Sequence, residues 1–201
     1  MEAFLQAHWL DMLTTVLGLA YILLEYKASI WLWAVGFAMQ SLGIVLYYQK
    51  GLYADCGMEF YYLAMTIYGF LHWVRTPSKE GKTGKDDLKA QRPITHFPKR
   101  LAAVWLFITI IAWATLYWFL TTFTDSRVPI ADSFTTALSF AGIWALARKY
   151  LEQWLIWIVV DVVTCILYFY KDIPFKGSLY GLYVVIAVFG YFKWKQMMHE
   201  Q

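Results

Sequence analysis

Long apolar runs, separated by short polar segments, make up most of the chain. Crossing the hydrocarbon core of a bilayer takes about 20 mostly apolar residues as a helix but only about 10 as a β-strand. The runs are continuous and too long for strands, so they predict helices. Seven runs are long enough: 9–24, 28–49, 57–74, 101–124, 130–147, 153–170 and 175–194. The pattern predicts an all-α integral membrane protein with seven transmembrane helices.

The composition excludes most other classes of protein. Hydrophobic residues make up 60% of the 201 residues, charged residues make up 15%, and the mean hydropathy is +0.48. Soluble domains carry about 25% charged residues, and a soluble fold of this size could not bury so much apolar surface. The net charge of +3 is too small to indicate a nucleic-acid partner. Neither the two cysteines nor the four histidines have the spacing of a metal or haem site, so we expect membrane lipids around the chain and no metal or cofactor.

The basic residues predict the orientation in the membrane. With seven spans, one side carries the loops at 25–29, 75–100 and 148–153 and the C-terminal tail. That side holds 13 of the 17 lysines and arginines, and the other side holds 4. Because cytoplasmic loops are enriched in Lys and Arg, we expect the N-terminus outside and the C-terminus in the cytoplasm.

The chain repeats itself without a gap at an offset of 121 residues. Over the 63 positions from 11 to 73 there are 13 identities. They include Asp11 and Asp132, Trp33 and Trp154, Tyr47 and Tyr168, Lys50 and Lys171, Tyr62 and Tyr183, Gly69 and Gly190, and Trp73 and Trp194. A gap-free match in such residue types indicates a duplicated structural unit.

Each copy holds three of the predicted helices, and one further helix lies between the copies. The predicted organisation is one transmembrane domain, 1–201, with repeat 1 at 11–74, a cytoplasmic loop at 75–100, a linker helix at 101–120 and repeat 2 at 132–195. Three crossings end on the opposite side of the membrane and the fourth returns the chain, so two repeats in this 3+1+3 order are expected to be parallel. Parallel repeats are a transporter device, with the substrate site near the midplane between them.

One face of a predicted helix in each repeat carries polar and aromatic side chains. Each residue of an α-helix turns by about 100°, so four residues of repeat 2 share a face: Trp154, Trp157, Asp161 and Tyr168. Their partners in repeat 1 are Trp33, Gly36, Gln40 and Tyr47. Asp161 and Gln40 both lie near the middle of their spans. Acids at this depth are costly and usually functional.

These side chains predict a binding site for a flat, cationic organic solute. Trp rings can stack on the solute and attract its charge through their π faces. The Asp161 carboxylate can offset that charge, and Gln40 can donate and accept hydrogen bonds. The alternative is structural: a protonated Asp161 is bonded to Gln40 and holds two helices together, and the tryptophans are anchors at the membrane interface.

The third helix of each repeat extends the candidate site. Glu59 and Tyr62 share a face with Thr66, and Glu59 lies about one turn inside the outer end of its span. Glu59 is a candidate guide for a cation, or else a surface acid whose side chain reaches the membrane interface. Tyr183 matches Tyr62 in repeat 2 and is a further candidate.

A matching acid stands near the start of each repeat. Asp11 and Asp132 are each followed three residues later by a threonine. An aspartate at the start of a helix commonly accepts hydrogen bonds from the backbone N–H groups of the first turn. Both residues are therefore predicted to be helix N-caps.

Several motifs resemble those of the Pnu vitamin transporters. Repeat 2 carries Trp154-x-x-Trp157-x-x-x-Asp161, then Leu167-Tyr168-Phe169-Tyr170-Lys171, and then Tyr183 followed by Gly190-Tyr191-x-x-Trp194. Repeat 1 carries Gly51-Leu52-Tyr53-Ala54-Asp55, with Tyr61-Tyr62 and Tyr68-Gly69. The resemblance covers nearly the whole chain.

The resemblance implies a sugar-transporter-like (SWEET-like) fold of two three-helix bundles joined by a linker helix, in a homotrimer in the bacterial cytoplasmic membrane. It also implies facilitated diffusion of an unphosphorylated vitamin, which kinases inside the cell then trap. Nicotinamide riboside is the default substrate and thiamine is the alternative; both carry a fixed positive charge on an aromatic ring, and other members carry riboflavin. By the family motif, Trp154, Trp157 and Tyr168 contact the ligand. Many riboside carriers have Asn where this chain has Asp161.

Two other classes of function fit the residues less well. A membrane enzyme would need a nucleophile–base pair or metal ligands within the spans, and the spans contain no HExxH motif, His pair or Ser–His arrangement. A subunit without transport activity would not explain why repeat 2 has an acid at mid-membrane, Asp161, at the position where repeat 1 has an amide, Gln40. We therefore expect a transporter and not an enzyme.

Overall fold

The computed structural model describes residues 13, 16–49, 53–74, 92–124, 128–171 and 174–200. Within these ranges the chain forms seven α-helices. They are α1 Val16–Tyr26, α2 Trp31–Gln49, α3 Tyr53–Val74, α4 Lys99–Phe123, α5 Pro129–Ala147, α6 Gln153–Tyr170 and α7 Pro174–His199. The prediction of an all-helical chain is confirmed for the described part.

The helices follow the predicted apolar runs closely. The run 153–170 matches α6 at both ends, whereas α7 continues past the predicted end of its run to His199. Among the residues that the structure describes, four helices are long and apolar enough to cross a membrane: α2, α4, α5 and α6. α3 and α7 are also long, and α1 is shorter over its described residues.

Contacts within the chain divide it into two units, Met1–Arg92 and Pro93–Gln201. The first unit contains α1, α2 and α3, which meet at Gly36 of α2. A β-carbon at Gly36 would lie 3.1 Å from the Tyr21 ring of α1 and 3.4 Å from the Thr66 hydroxyl of α3. The absence of a side chain at Gly36 allows both neighbouring helices to approach α2 closely.

A tryptophan sets the spacing between α2 and α3. The Trp33 ring packs directly on Gly69, where an added β-carbon would overlap the ring. Trp33 also meets Trp73 edge to face, with ring centroids 5.4 Å apart and ring planes at 88°. Both rings are fully buried. Because protein interiors are close-packed, this Trp–Gly contact sets the distance between α2 and α3 at this level.

The second unit contains α4 to α7, and its Trp154 makes the same contact. α6 packs against both α5 and α7, and α4 packs against α5. A β-carbon at Gly190 of α7 would lie 2.7 Å from the Trp154 ring. Trp154 meets Trp194 edge to face, with centroids 5.7 Å apart and planes at 89°. α6 therefore contacts α7 as α2 contacts α3.

The turns after α1 and α5 also share their backbone geometry. Ala28 and Lys149 lie 121 positions apart, and they are the non-glycine residues with positive φ in the described ranges, at 50° and 59°. In each turn the N–H of the next residue donates to a carbonyl five positions back, at 2.9 Å after α1 and 3.0 Å after α5. These bonds are those of the Schellman motif, which ends a helix through a left-handed residue.

The N-cap predicted at Asp132 is wrong. α5 begins at Pro129, with Val128 as the cap residue, because proline suits the first turn, where its missing N–H is not needed. Asp132 lies inside that turn, and its carboxylate accepts from the Lys171 ammonium at 2.9 and 3.2 Å. This ion pair joins the start of α5 to the end of α6. The matching prediction for Asp11 lies outside the described residues.

The predicted linker helix is α4, an apolar helix with no buried residue. It contacts α5 through Trp105, whose ring centroid lies 4.0 Å from that of Trp144. A groove of about 500 Å³ runs along these helices, and the His96–Glu152 pair, 2.8 Å apart, contributes to its lining. The lining includes none of the ten predicted site residues. This groove is therefore separate from the predicted site.

Candidate functional site

Asp161 is a buried acid in the middle of α6. Only 6% of its surface is exposed, and it stands eight residues after Gln153 and nine before Tyr170. It forms no ion pair with any residue of the described ranges. Tyr183 of α7 is close enough for its hydroxyl to interact with the Asp161 charge. A buried carboxylate without a cationic partner is costly, and a positively charged group placed here would offset that cost.

Trp157 and Trp154 flank Asp161 on the same helix. At about 100° per residue, Asp161 lies about 40° from Trp157 and about 20° from Trp154 around the helix axis. Trp157 packs on Gly142 of α5, where an added β-carbon would lie 3.2 Å from the ring, whereas Trp154 packs on α7. The indole N–H of each ring is buried and has no acceptor in the part of the chain that the structure describes. Both N–H groups can therefore donate to a ligand.

Three tyrosines form a continuous aromatic group beside Asp161. Tyr183 meets Tyr180 edge to face with centroids 5.6 Å apart, and Tyr180 stacks on Tyr168 at 5.3 Å. The Lys176 ammonium lies 5.5 Å from the centre of the Tyr168 ring. The structure thus connects Asp161, Tyr183 and Tyr168, which the sequence predicted, through Tyr180, which it did not.

In the first unit, the predicted residues of α2 differ in their burial. Gln40 and Tyr47 are half-buried. Trp33 is buried, and its indole N–H has no acceptor among the residues described. Trp33 lines a cavity of about 340 Å³ together with Phe37 and Thr66. The other lining residues are apolar, so this cavity suits an apolar or aromatic group.

Glu59 and Tyr62 lie half-buried on α3. Glu59 packs on Gly43 of α2, where an added β-carbon would lie 2.7 Å from the carboxylate carbon. One oxygen of that carboxylate is buried. The contact with α2 argues against the alternative that Glu59 is a surface acid. Tyr62 meets the neighbouring Tyr61 edge to face, with centroids 5.7 Å apart.

At one pair of equivalent positions the two units exchange large and small residues. In the first unit, Tyr21 of α1 packs on Gly36 of α2; in the second, Gly142 of α5 receives Trp157 of α6. In both units an aromatic ring packs against a glycine of the neighbouring helix. The ring belongs to the first helix of the group in one unit and to the second helix in the other. In the second unit the large aromatic ring consequently belongs to the helix that carries Asp161.

Sequence reasoning missed Gln153, the first residue of α6. Its side chain is fully buried, and neither of its polar atoms has a hydrogen-bond partner within the described ranges. It lies about 40° from Trp157 around the helix axis, so it extends the polar face by one turn. The angle around the helix axis could have placed Gln153 on this face from the sequence alone. A glutamine is usually exposed in proteins, so its residue type gave no reason to expect a buried side chain.

Comparison with known proteins identifies related sequences along nearly the whole chain. The family model described as nicotinamide mononucleotide transporter matches residues 8–196. The chain is 26% identical to the riboflavin/roseoflavin transporter RibM of Streptomyces davaonensis, over 92% of this chain and 84% of that protein. It is 22% identical to the nicotinamide riboside transporter PnuC of Escherichia coli, over 96% and 87% of the two chains. The PnuC of Neisseria mucosa is 23% identical, over 94% and 73%.

A solved structure shares the fold. The crystal structure of the vitamin B3 transporter PnuC matches with a TM-score of 0.73 and 21% identity, covering 98% of this chain and 85% of that one. These relatives are described as transporters and not as enzymes, which supports the expectation that the chain is not an enzyme. Because the family model matches far more than half of the sequence, the chain belongs to the nicotinamide mononucleotide transporter family, the Pnu family of membrane transporters.

Proposed function

We propose that the chain is a uniporter for a cationic, unphosphorylated vitamin, with nicotinamide riboside as substrate and thiamine as the alternative. The observation that carries this proposal is the burial of Asp161 beside Trp157, without a cationic partner in the described ranges. Both vitamins present a fixed positive charge on an aromatic ring. Such a ring can stack on Trp157 while the Asp161 carboxylate offsets its charge.

The predicted site residues take different roles in this proposal. In the second unit the binding residues are Trp154, Trp157, Asp161, Tyr168 and Tyr183. In the first unit they are Trp33, Gln40, Tyr47, Glu59 and Tyr62. The unpaired indole N–H groups support hydrogen bonds to substrate hydroxyls, and the group of Tyr168, Tyr180 and Tyr183 supports aromatic lining.

Facilitated diffusion, which the family resemblance implies, is the proposed mode of transport, and what the site offers to a cation supports it. Moving a charged solute across the hydrocarbon core is costly because the charge loses its hydration. The carboxylate and the aromatic faces replace part of that hydration, and they do so for movement in either direction. Net uptake then comes from phosphorylation of the vitamin inside the cell.

Riboflavin is a second candidate substrate, because the riboflavin/roseoflavin transporter RibM is 26% identical to this chain. Riboflavin is uncharged and gains nothing from charge pairing with Asp161. A preference for cationic vitamins over riboflavin would therefore support the role of Asp161, and a preference for riboflavin would contradict it.

The decisive experiment measures transport by the purified protein in liposomes, without ATP or an ion gradient. Labelled nicotinamide riboside, thiamine and riboflavin are offered separately, and counterflow is measured with unlabelled vitamin inside. We expect nicotinamide riboside or thiamine to equilibrate and to show counterflow. If folded protein transports neither of them, the proposal fails. Accumulation driven by a pH gradient would instead indicate proton coupling.

The membrane arrangement is part of the proposal. We propose a multi-pass protein of the bacterial cytoplasmic membrane, with three helices, a linker helix and three helices in chain order, the N-terminus outside and the C-terminus in the cytoplasm. The charge bias of 13 to 4 supports this orientation. Glu200→Cys, in a variant from which Cys56 and Cys165 have been removed, tests this orientation in whole cells. A membrane-impermeant maleimide should label the new cysteine only after the cell membrane is permeabilised. We also propose a homotrimer, which the family resemblance implies. Native mass spectrometry should then give three times the chain mass of 23.5 kDa.

A further inference from the structure

Gln153 begins α6 with its side-chain amide sealed from solvent. Its exposure is 0%, and neither the amide nitrogen nor the amide oxygen has a hydrogen-bond partner in the described part of the chain. Buried amides are nearly always hydrogen-bonded, because an unpaired buried amide is destabilising. The chain therefore maintains, at Gln153, a donor and an acceptor that its own described residues do not use.

The fold does not need an amide at this place. The equivalent residue in repeat 1, which is 121 positions earlier, is Leu32, and its exposure is also 0%. Each residue directly precedes the tryptophan that packs on the third helix, Trp33 or Trp154. An apolar side chain thus fills the same place in a matching environment. The amide is specific to α6, the helix that also carries Asp161.

Gln153 lies on the face of α6 that carries the proposed substrate site. It is about 40° from Trp157 and about 80° from Asp161 around the helix axis. At 1.5 Å per residue, Trp157 is about 6 Å and Asp161 about 12 Å further along. A ligand that lies along α6 between these two side chains can hydrogen-bond Gln153 at one end and place its positive charge near Asp161 at the other. The unpaired indole N–H groups of Trp154 and Trp157 add donors to the same region.

We propose that Gln153 is a substrate-binding residue that recognises the carboxamide of nicotinamide riboside, an inference that rests on the proposed function. A primary carboxamide presents a donor beside an acceptor, and the Gln153 amide presents the complementary pair. The ring stacks on Trp157, and its charge faces Asp161. Because Gln153 is sealed in the present conformation, the pairing belongs to another state of the transport cycle, which the substrate stabilises through these bonds.

The test measures the Kd of the purified full-length protein for nicotinamide riboside and for nicotinic acid riboside, which has a carboxylate in place of the carboxamide. Gln153→Leu introduces the residue of repeat 1, and Gln153→Met keeps the length of the side chain. We expect both variants to bind nicotinamide riboside about five- to a hundredfold more weakly, the effect of losing two ordinary hydrogen bonds. The preference for the amide over the acid should fall, because only the amide can donate to the Gln153 carbonyl. Thermal stability should stay the same or rise, because an unpaired amide is removed.

The matched control is Gln196→Leu, which removes an exposed amide that bonds Glu200 at 2.8 Å and should leave the Kd unchanged. Thiamine and riboflavin are measured beside the two ribosides. If the wild type binds neither nicotinamide riboside nor thiamine, the proposed function and this inference both fail. If it binds nicotinamide riboside and both Gln153 variants bind equally well, the inference alone fails. Binding of thiamine or riboflavin without nicotinamide riboside also overturns the carboxamide pairing. A loss of stability with equal weakening for both ribosides would indicate a structural role and contradict the proposal.

Discussion

The helix groups α1–α3 and α5–α7 share a packing framework and differ in the chemistry of one helix face. In each group a buried tryptophan packs on a glycine of the last helix and meets a second tryptophan edge to face. In each, the first helix ends in a left-handed residue at the equivalent position. The differences include Gln40 against Asp161 and Leu32 against Gln153. The shared Trp–Gly and Trp–Trp contacts maintain the fold, and the two differences place a carboxylate and an amide on α6, both with proposed binding roles.

The largest effect should come from breaking the shared framework. Gly69→Ala and Gly190→Ala place a β-carbon against the rings of Trp33 and Trp154, which are fully buried, so the rings or the helices must shift. We expect each substitution to destabilise the protein by about 1–3 kcal/mol, the usual effect of overpacking a core. Thermal unfolding in detergent measures it.

Gly57→Ala is the control for these two variants. Gly57 lies in α3, and a β-carbon there meets no atom within 4 Å. Replacing a helical glycine without a clash should stabilise by about 0.5–1 kcal/mol. Equal stability of Gly190→Ala and Gly57→Ala would show that the Trp154–Gly190 contact does not hold α6 and α7 together.

The next effect sharpens the chemical difference between the two groups. Asp161→Asn gives α6 an amide side chain where α2 has Gln40, and it removes the charge that pairs with the substrate. We expect the affinity for nicotinamide riboside or thiamine to fall about ten- to a hundredfold, which corresponds to a lost charge interaction of about 1.4–2.8 kcal/mol. Titration calorimetry measures the Kd, and affinity for riboflavin should not change.

Asp132→Asn is the matched control, since it neutralises an acid outside the proposed site. It should leave the Kd for the cationic vitamin unchanged. If Asp161→Asn also leaves that Kd unchanged, Asp161 is not part of the site, and the chemical difference between the two helix groups has no role in binding.

A smaller effect tests the shared turn. Ala28 has a φ of 50°, a conformation that disfavours any residue with a β-carbon and suits glycine. Ala28→Gly should therefore stabilise the protein by up to about 1 kcal/mol in thermal unfolding. Ala34→Gly, inside α2, should have the opposite sign because glycine weakens a helix interior. A destabilising Ala28→Gly would contradict the proposed strain.

The smallest effect concerns the ion pair between Asp132 and Lys171. The side chains are 31% and 29% exposed, so solvent screens much of their attraction. A double-mutant cycle with Asp132→Asn and Lys171→Met should give a coupling of about 0.2–1 kcal/mol. A coupling near zero would show that this contact does not help to join α5 and α6.

The helices and the central acid were readable from the sequence because both depend on local patterns. A backbone in lipid must satisfy its own hydrogen bonds, so an apolar run such as 153–170 becomes a helix with those limits. Asp161 stood out because acids are rare at mid-membrane. The helix angle then placed Trp157 on its face without any tertiary information.

The contacts between helices could not be predicted from the sequence, because they depend on how one helix is aligned along another. Trp154 and Gly190 are far apart in sequence, and no local pattern shows that they touch. The N-cap prediction for Asp132 failed because Pro129 starts the helix one turn earlier and leaves the carboxylate for Lys171. Gln153 was overlooked because its burial follows from the packing around α6 and not from its residue type.

The absence of buried residues in α4 has a consequence for how fast its sequence can change within the family. None of its residues is buried, and its contact with α5 includes the ring of Trp105 on Trp144. Saturation mutagenesis should therefore find most positions of α4 tolerant of any apolar residue, while polar substitutions are selected against by membrane insertion alone. Homologues should diverge fastest in this helix and slowest around Trp154 and Gly190.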